Sequence, residues 1–305
     1  MHGDEHVLLR LLRPHVVDRV EGRVGGAVAD GVGPRRRVPG GAVRQRRPLP
    51  APPVLPRARR HRPAPTSVSP PSVIGMIMKT EFSDAFLLEA ERHAAWGAAQ
   101  LETLTEFMPT GPWTADLEAC LYRQGELELR VAVLGTYDLR ERSWMWGWAN
   151  PGLRGSEVVA LTGGIECYGR AHAIAEFTEE VLDLSGFEDP RRAAETLAFA
   201  GMGVAEAPGY LGLPAGPDSQ VYFLPDDPQV PRAGLDAVSL PRQLVTGAGL
   251  IGRSARRVVT GYLDHHGLPS REDGNLIRTD LPGGSAAEIE FDDAGRIAAV
   301  RLTAV

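Results

Sequence analysis

Four side chains carry the residue types from which a dispersed catalytic site could be built: His93, His172, Cys167 and Arg142. An imidazole titrates near neutrality and can pass a proton, a guanidinium can hold an anion, and a thiol turns nucleophilic once a base and the local field lower its pKa. Cys167 and His172 stand five residues apart, a spacing that does not itself bring a base to the sulfur. Cys120 and Cys167 are the two cysteines, and buried small apolar side chains are the plainer expectation for both. Asp264-His265-His266 forms a second polar group just before Gly267. There, the free carbonyls and negative end of a helix are the expected partners of the imidazoles, ahead of an acid–base or metal role. Glu89, Glu91 and His93 lack the E-x-x-H spacing of a di-iron bundle and are expected on the wet face of their helix.

Gly247, Gly249 and Gly252 satisfy G-x-G-x-x-G, preceded by Leu244-Val245 as a strand would be and followed by a helix capped by Ser254. A pyrophosphate needs this close backbone approach and a helix N-terminus. A chain with 35 glycines in 305 residues produces roughly 0.45 such matches by chance, and the remainder after Gly252 is too short for further βα units. No cofactor is therefore expected. The sequence has no C-x-x-C, no H-E-x-x-H and no G-x-S-x-G, and its one lysine, Lys79, sits in no glycine-rich loop, so a metal site and a P-loop are also not expected.

The elements that must position these residues begin at Ser83, a helix N-cap followed by Asp84. Phe86, Ala90, Ala94, Gly97, Leu101, Leu104 and Met108 predict one amphipathic helix ending near Pro109, with Glu89, Glu91 and Arg92 off its apolar face. Three strands should follow: Leu117 to Tyr122 with Cys120 in it, the alternating run from Glu126 to Val133, and Ser143 to Trp148. In the third, Trp144, Trp146 and Trp148 fall at steps of two and project from one side of a strand. Packed against the first helix they make a core, each indole N–H finding a partner; exposed, and joined by Asn150, they would make a binding surface, with Arg142 and Arg154 at its rim. The core reading is favoured because the helix needs something to cover.

Further along, a helix over 155–168, a strand near 180–187, a helix opened by Asp189-Pro190, and a strand pair at Tyr210 and Val221–Leu224 are expected, with 225–241 as linker. The tail reads as a Ser254-capped helix and three strands, so that helix-then-three-strands occurs twice. The class is α+β: an N-terminal amphipathic helix on an antiparallel meander, further helix and strand units, and a small helix-plus-three-strand unit at the C-terminus.

Charge divides the chain. Residues 1–75 hold 14 arginines, 5 acids, 12 prolines and no Phe, Trp or Tyr, whereas the rest carries 19 basic and 34 acidic residues and every aromatic. Such a leader cannot bury enough apolar surface to offset its chain entropy, so disorder, or translation starting near Met76 or Met78, is expected over a nucleic-acid-binding arm. The expected organisation is a 1–75 leader, a 76–228 α+β domain, and 229–305 as linker and small tail. No run is apolar enough for a membrane span or an export signal, which points to the cytoplasm.

The helix FSDAFLLEAERHAAWGAAQLETL, the strand SWMWGWANP and, more faintly, the Tyr210 and Val221-Tyr222-Phe223 region resemble an uncharacterised bacterial family, a domain of unknown function, over roughly residues 80–225. The resemblance implies a bacterial, cytoplasmic domain and transfers no catalytic residue. The leading functional expectation is a non-catalytic binding or accessory protein that recognises a protein or small molecule across the aromatic sheet. The alternatives are an enzyme with a site assembled from dispersed residues and nucleic-acid binding through the leader, with nucleic acid not expected to bind residues 76–305.

Overall fold

The computed structural model describes residues 80–304. The leader, with the expectations of disorder, a late start or nucleic-acid binding attached to it, lies outside the described residues.

Ser83 caps the first helix, its hydroxyl accepting from Phe86 N at 3.2 Å. The helical run does not continue unbroken to Pro109. It divides at His93 into α1 (Asp84–Arg92) and α2 (Ala94–Phe107), with His93 at φ −93° and ψ −5°. The sheet follows as β1 (Trp113–Asp116), β2 (Leu121–Gln124), β3 (Leu127–Asp138) and β4 (Ser143–Trp146). The expected strand 117–122 is thus a turn between two short strands. Cys120 sits in that turn at φ +55°, outside any strand, and is buried. After α3 (Ala160–His172) and β5 (Val181–Asp183) comes α4 (Pro190–Val204), where Asp189 caps as its sequence suggested, accepting from Arg192 N at 2.9 Å with Pro190 next in line. Then come β6 (Leu211–Pro214), β7 (Ser219–Pro225), α5 (Leu240–Ile251) and α6 (Ala255–His265). The tail strands number four, not three, because Ser270–Asp273 (β8) pairs with β9 (Leu276–Leu281) ahead of β10 (Ser285–Phe291) and β11 (Ile297–Ala304). β8 is wholly exposed, which left it no apolar alternation to be seen by.

The architecture is α+β with two antiparallel sheets. In the larger, β3 is the shared strand: its first residues pair with β2, its last with β4, and Val131–Asp138 with β7. The smaller is the meander β11-β10-β9-β8. Among the described residues no helix is long and apolar enough to cross a membrane.

The tryptophan row is shorter than its spacing implied. Trp144 and Trp146 are fully buried, their rings 5.2 Å apart and nearly perpendicular. Trp148 falls in a 3-10 turn over Gly147–Ala149 and is half-buried. The strand ends because Gly147 lies directly over the Val133 carbonyl, closer than any Cβ would permit. Among the described residues only Trp146 of the three indoles finds a partner for its N–H, the Glu176 carbonyl at 2.8 Å; Trp144 and Trp148 find none there. The cover also differs. Gly201 of α4 lies against the Trp146 ring, while α1 reaches it through Phe86 on Phe177 and Phe177 on Trp146.

The glycine motif is helical. Gly247 and Gly249 lie inside α5 and Gly252 ends it in the left-handed region at φ +82°, so there is no strand-turn-helix to receive a pyrophosphate. Gly247 instead lets α5 pack on the Ala95 backbone, and Gly261 does the same for α6 against the Arg92 carbonyl. Gly249 has nothing within 4 Å of its Cβ direction. The glycines therefore have opposite expectations on replacement. Gly247→Ala and Gly261→Ala should each lower stability by about 1–3 kcal/mol through overpacking on backbone. Gly249→Ala should raise it by about 0.5–1 kcal/mol through helix propensity. Urea unfolding of the three variants checks both signs.

Candidate functional site

The break between α1 and α2 is where side chains converge. His93 is 4% exposed, its ring pressed on Gly203 of α4 more closely than any Cβ would allow. Its Nδ1 lies 2.8 Å from His265 Nε2 at the end of α6, and Glu89 Oε1, one turn earlier in α1, lies 3.0 Å from its Nε2. That nitrogen has no in-line hydrogen-bond partner among the described residues, so the Glu89 contact is close but poorly aligned. Tyr168 of α3 donates its hydroxyl to the same Glu89 oxygen at 2.7 Å. On the other side of the pair, Trp96 stacks on His265, ring centroids 4.1 Å apart and planes 8° from parallel. Carboxylate, imidazole and imidazole thus form a line from the helix interior to a cavity of 470 Å³, a volume suited to a small molecule. Arg92, Asp264, His266, Gln100, Arg232 and Glu206 also line the cavity.

The electrostatics follow from burial and these partners. Desolvation would raise Glu89, but the contacts from His93 and Tyr168 and the charge of Arg92 outweigh it and hold the carboxyl down at about 2. Burial and the hydrogen bond to Glu89 push the Tyr168 phenol up to about 12. Burial, with His93 and Arg92 adding repulsion, drives His265 down to about 3, and burial lowers His266. Arg92 is only loosely paired, 3.8 Å from Glu89 and 3.9 Å from Asp264, both beyond hydrogen-bond reach. Gln100, by contrast, is held by a pair of hydrogen bonds exchanged with the Ala233 backbone.

Of the four dispersed catalytic candidates, His93, His172, Cys167 and Arg142, only His93 enters this cluster; the Asp264–His266 group, expected at a helix end, supplies His265 to it. Glu89 and Glu91, expected on a wet face, are buried at 7% and 0% exposure. Glu91 faces away from the cavity and accepts the backbone N–H groups of Arg253 and Ser254 at the start of α6, each at 2.5 Å. His172 and Cys167 are exposed on α3, and five residues of helix turn them to different faces. Cys167 is thus no buried small side chain, and His172 stacks on Tyr168 with centroids 4.1 Å apart. Arg142 is exposed in the β3–β4 turn at φ +52°. Asn150 serves a turn, accepting from Gly152 N at 2.9 Å, and Arg154 pairs with Glu180 at 3.1 Å, so neither borders an opening lined by indoles. His265 does occupy the last turn of α6, but its ring goes to His93 and to no carbonyl. Among the described residues no three His, Cys, Asp or Glu side chains converge to hold a metal. Sequence reasoning missed Glu89, Trp96, Tyr168 and the role of His265. The available signal was the four-residue spacing of Glu89 and His93, which puts both on one helix face beside the apolar stripe.

A second buried carboxylate has a different character. Glu195 of α4 accepts from Tyr210 and Tyr222 hydroxyls at 2.8 Å each, away from the cavity. Burial raises it to about 7 against the pull of both phenols.

Residues 81–228 match the family model described as a family of unknown function (DUF6882). No curated protein and no solved structure matches the chain.

Because Glu195 binds its proton more tightly folded than unfolded, its contribution to stability is complete below pH 4.5 and is lost as the pH rises through about 7. Wild type minus Glu195→Gln stability, from urea unfolding at pH 4.5 and pH 7, should therefore fall with rising pH by about 2–3 kcal/mol. A difference that is flat or rises with pH would show the carboxylate to be ionised at no cost.

Proposed function

We propose that this protein binds a small polar molecule in the cavity beside His93, and that this, rather than the aromatic sheet, is its recognition site. The observation that carries the reading is the polar chain from Glu89 through His93 to His265 reaching the wall of a 470 Å³ cavity. Trp144 and Trp146 have no exposed surface to offer a ligand. Arg92 and Arg232 border the space with donors to spare: Arg92 makes only long contacts and Arg232 gives one N–H to the Glu206 carbonyl. A cytoplasmic setting belongs to the same proposal and is supported by two unpaired cysteines, one of them exposed. The enzyme reading is favoured by one observation, that the chain at the cavity wall is made of groups that exchange protons.

A screen of small carboxylates, phenols, amides and amines by protein-detected NMR tests the binding reading. Bound fragments should shift the Trp96 indole and the His265 and His266 rings together. Val204→Trp, which puts a bulky ring into the cavity from the end of α4, should abolish those shifts while leaving the fold intact, as the unchanged remainder of the spectrum would show. If the hits shift other regions, or survive in Val204→Trp, the cavity is not the ligand site.

A further inference from the structure

We propose that the cavity is an acid–base site, at which His265 Nδ1 accepts a proton from a bound weak acid and the His93–His265 pair stores the charge on His93, against Glu89. This rests on the cavity being the ligand site.

The argument is one of proton positions. Only one hydrogen fits between His93 Nδ1 and His265 Nε2 at 2.8 Å. With Glu89 ionised 3.0 Å from His93 Nε2, a neutral His93 carries its hydrogen on Nε2, where the carboxylate attracts it. His93 Nδ1 is then the acceptor, His265 Nε2 the donor, and His265 Nδ1 holds a lone pair. That Nδ1 makes no hydrogen bond among the described residues and is not one of the buried unpartnered atoms, so it keeps accessible surface on a residue that lines the cavity.

A proton arriving at His265 Nδ1 need not leave its charge there. As the new N–H bond forms, the His265 Nε2 hydrogen passes to His93 Nδ1. His93 becomes an imidazolium beside Glu89, and His265 ends neutral with its hydrogen moved from Nε2 to Nδ1. The donor keeps its electron pair as the conjugate base, so charge and atoms balance. The groups facing the pair agree with this placement. Arg92, Asp264, His266, Arg232 and Glu206 line the cavity together with His265, Asp264 lies 3.9 Å from Arg92, and Trp96 covers one face of the His265 ring. Among the described residues the carboxylate in contact with the pair is Glu89, on the His93 side, with Tyr168 donating to it. Burial and the nearby cations hold His265 itself neutral. The ligand implied is a small molecule with an acidic O–H or N–H, its conjugate base set toward the loosely paired Arg92.

Nitrogen-detected NMR of histidine-labelled full-length protein reads this without any ligand, so its failure is separate from that of the fragment screen. As the pH falls, His93 should become doubly protonated at the midpoint where His265 switches from an Nε2–H to an Nδ1–H tautomer. Glu89→Gln should lower that midpoint by about one pH unit or more, since an opposite charge in contact is lost. Tyr168→Phe should raise it, because the freed carboxylate binds the cation more strongly. General disruption of the helices would move both variants the same way. Double protonation of His265 before His93, an unchanged His265 tautomer, or an unmoved midpoint in Glu89→Gln would overturn the relay. With 4-nitrophenol, whose ionised form alone is yellow, wild type should deepen the colour and His265→Phe should not. An unchanged wild-type spectrum would remove the weak-acid assignment.

Discussion

Helices approach one another closely where a side chain is missing, and the whole arrangement here depends on that happening three times around one residue. Gly203, Gly247 and Gly261 bring α4, α5 and α6 onto the stretch from Arg92 to Ala95, each nearer than a Cβ would allow. The backbone leaves regular helical form at His93, in the midst of these contacts. The ring is then held between Gly203 and His265, and water is kept from Glu89 and His93. Burial of charge at such a place is costly without partners, which explains why the partners form a continuous chain.

Buried carboxylates recur as fasteners between distant segments. Glu176 takes the N–H and hydroxyl of Ser83 at 2.7 and 2.8 Å, and its own carbonyl takes the Trp146 indole, joining the start of α1 to the sheet. Glu91 joins the end of α1 to the start of α6, where the positive end of the helix favours an anion. Glu195 joins α4 to β7 and to the residue before β6. In each case the carboxyl group accepts two donors, which offsets part of the cost of burial, although burial still raises Glu195 to about 7 and the second oxygen of Glu91 has no partner among the described residues. All three lie at element ends or against the sheet, so they fix how helices and sheet meet.

Local chemistry was legible in the sequence and tertiary closure was not. The Ser83, Asp189 and Ser254 caps, the β3 alternation and the tail strands β9 to β11 could be read because each signal lies within a few residues. The break at His93 left no such mark: the apolar face runs through it, and the glycines that pack around it are more than 100 residues away. The same distance hid the site. Glu89 and His93 share a helix face, but Tyr168 and His265 come to them from α3 and α6. Period-two spacing overextended the tryptophan strand because a neighbouring carbonyl, invisible to pattern, ends it at Trp146.

The contrast among the buried carboxylates bears on whether the histidine pair is only structural. A buried ionic or polar cluster adds little net stability that apolar side chains of equal volume could not supply. For Glu176 and Glu195 the donors are backbone, hydroxyl and phenol groups, and neither residue borders the cavity. Glu89 is different. Its line of contacts continues through two titratable rings, ends at a nitrogen with no hydrogen-bond partner among the described residues, and does so on a residue that lines a space large enough for a ligand. A fastener requires none of the last three features, whereas a group that must exchange a proton with something in the cavity requires all of them.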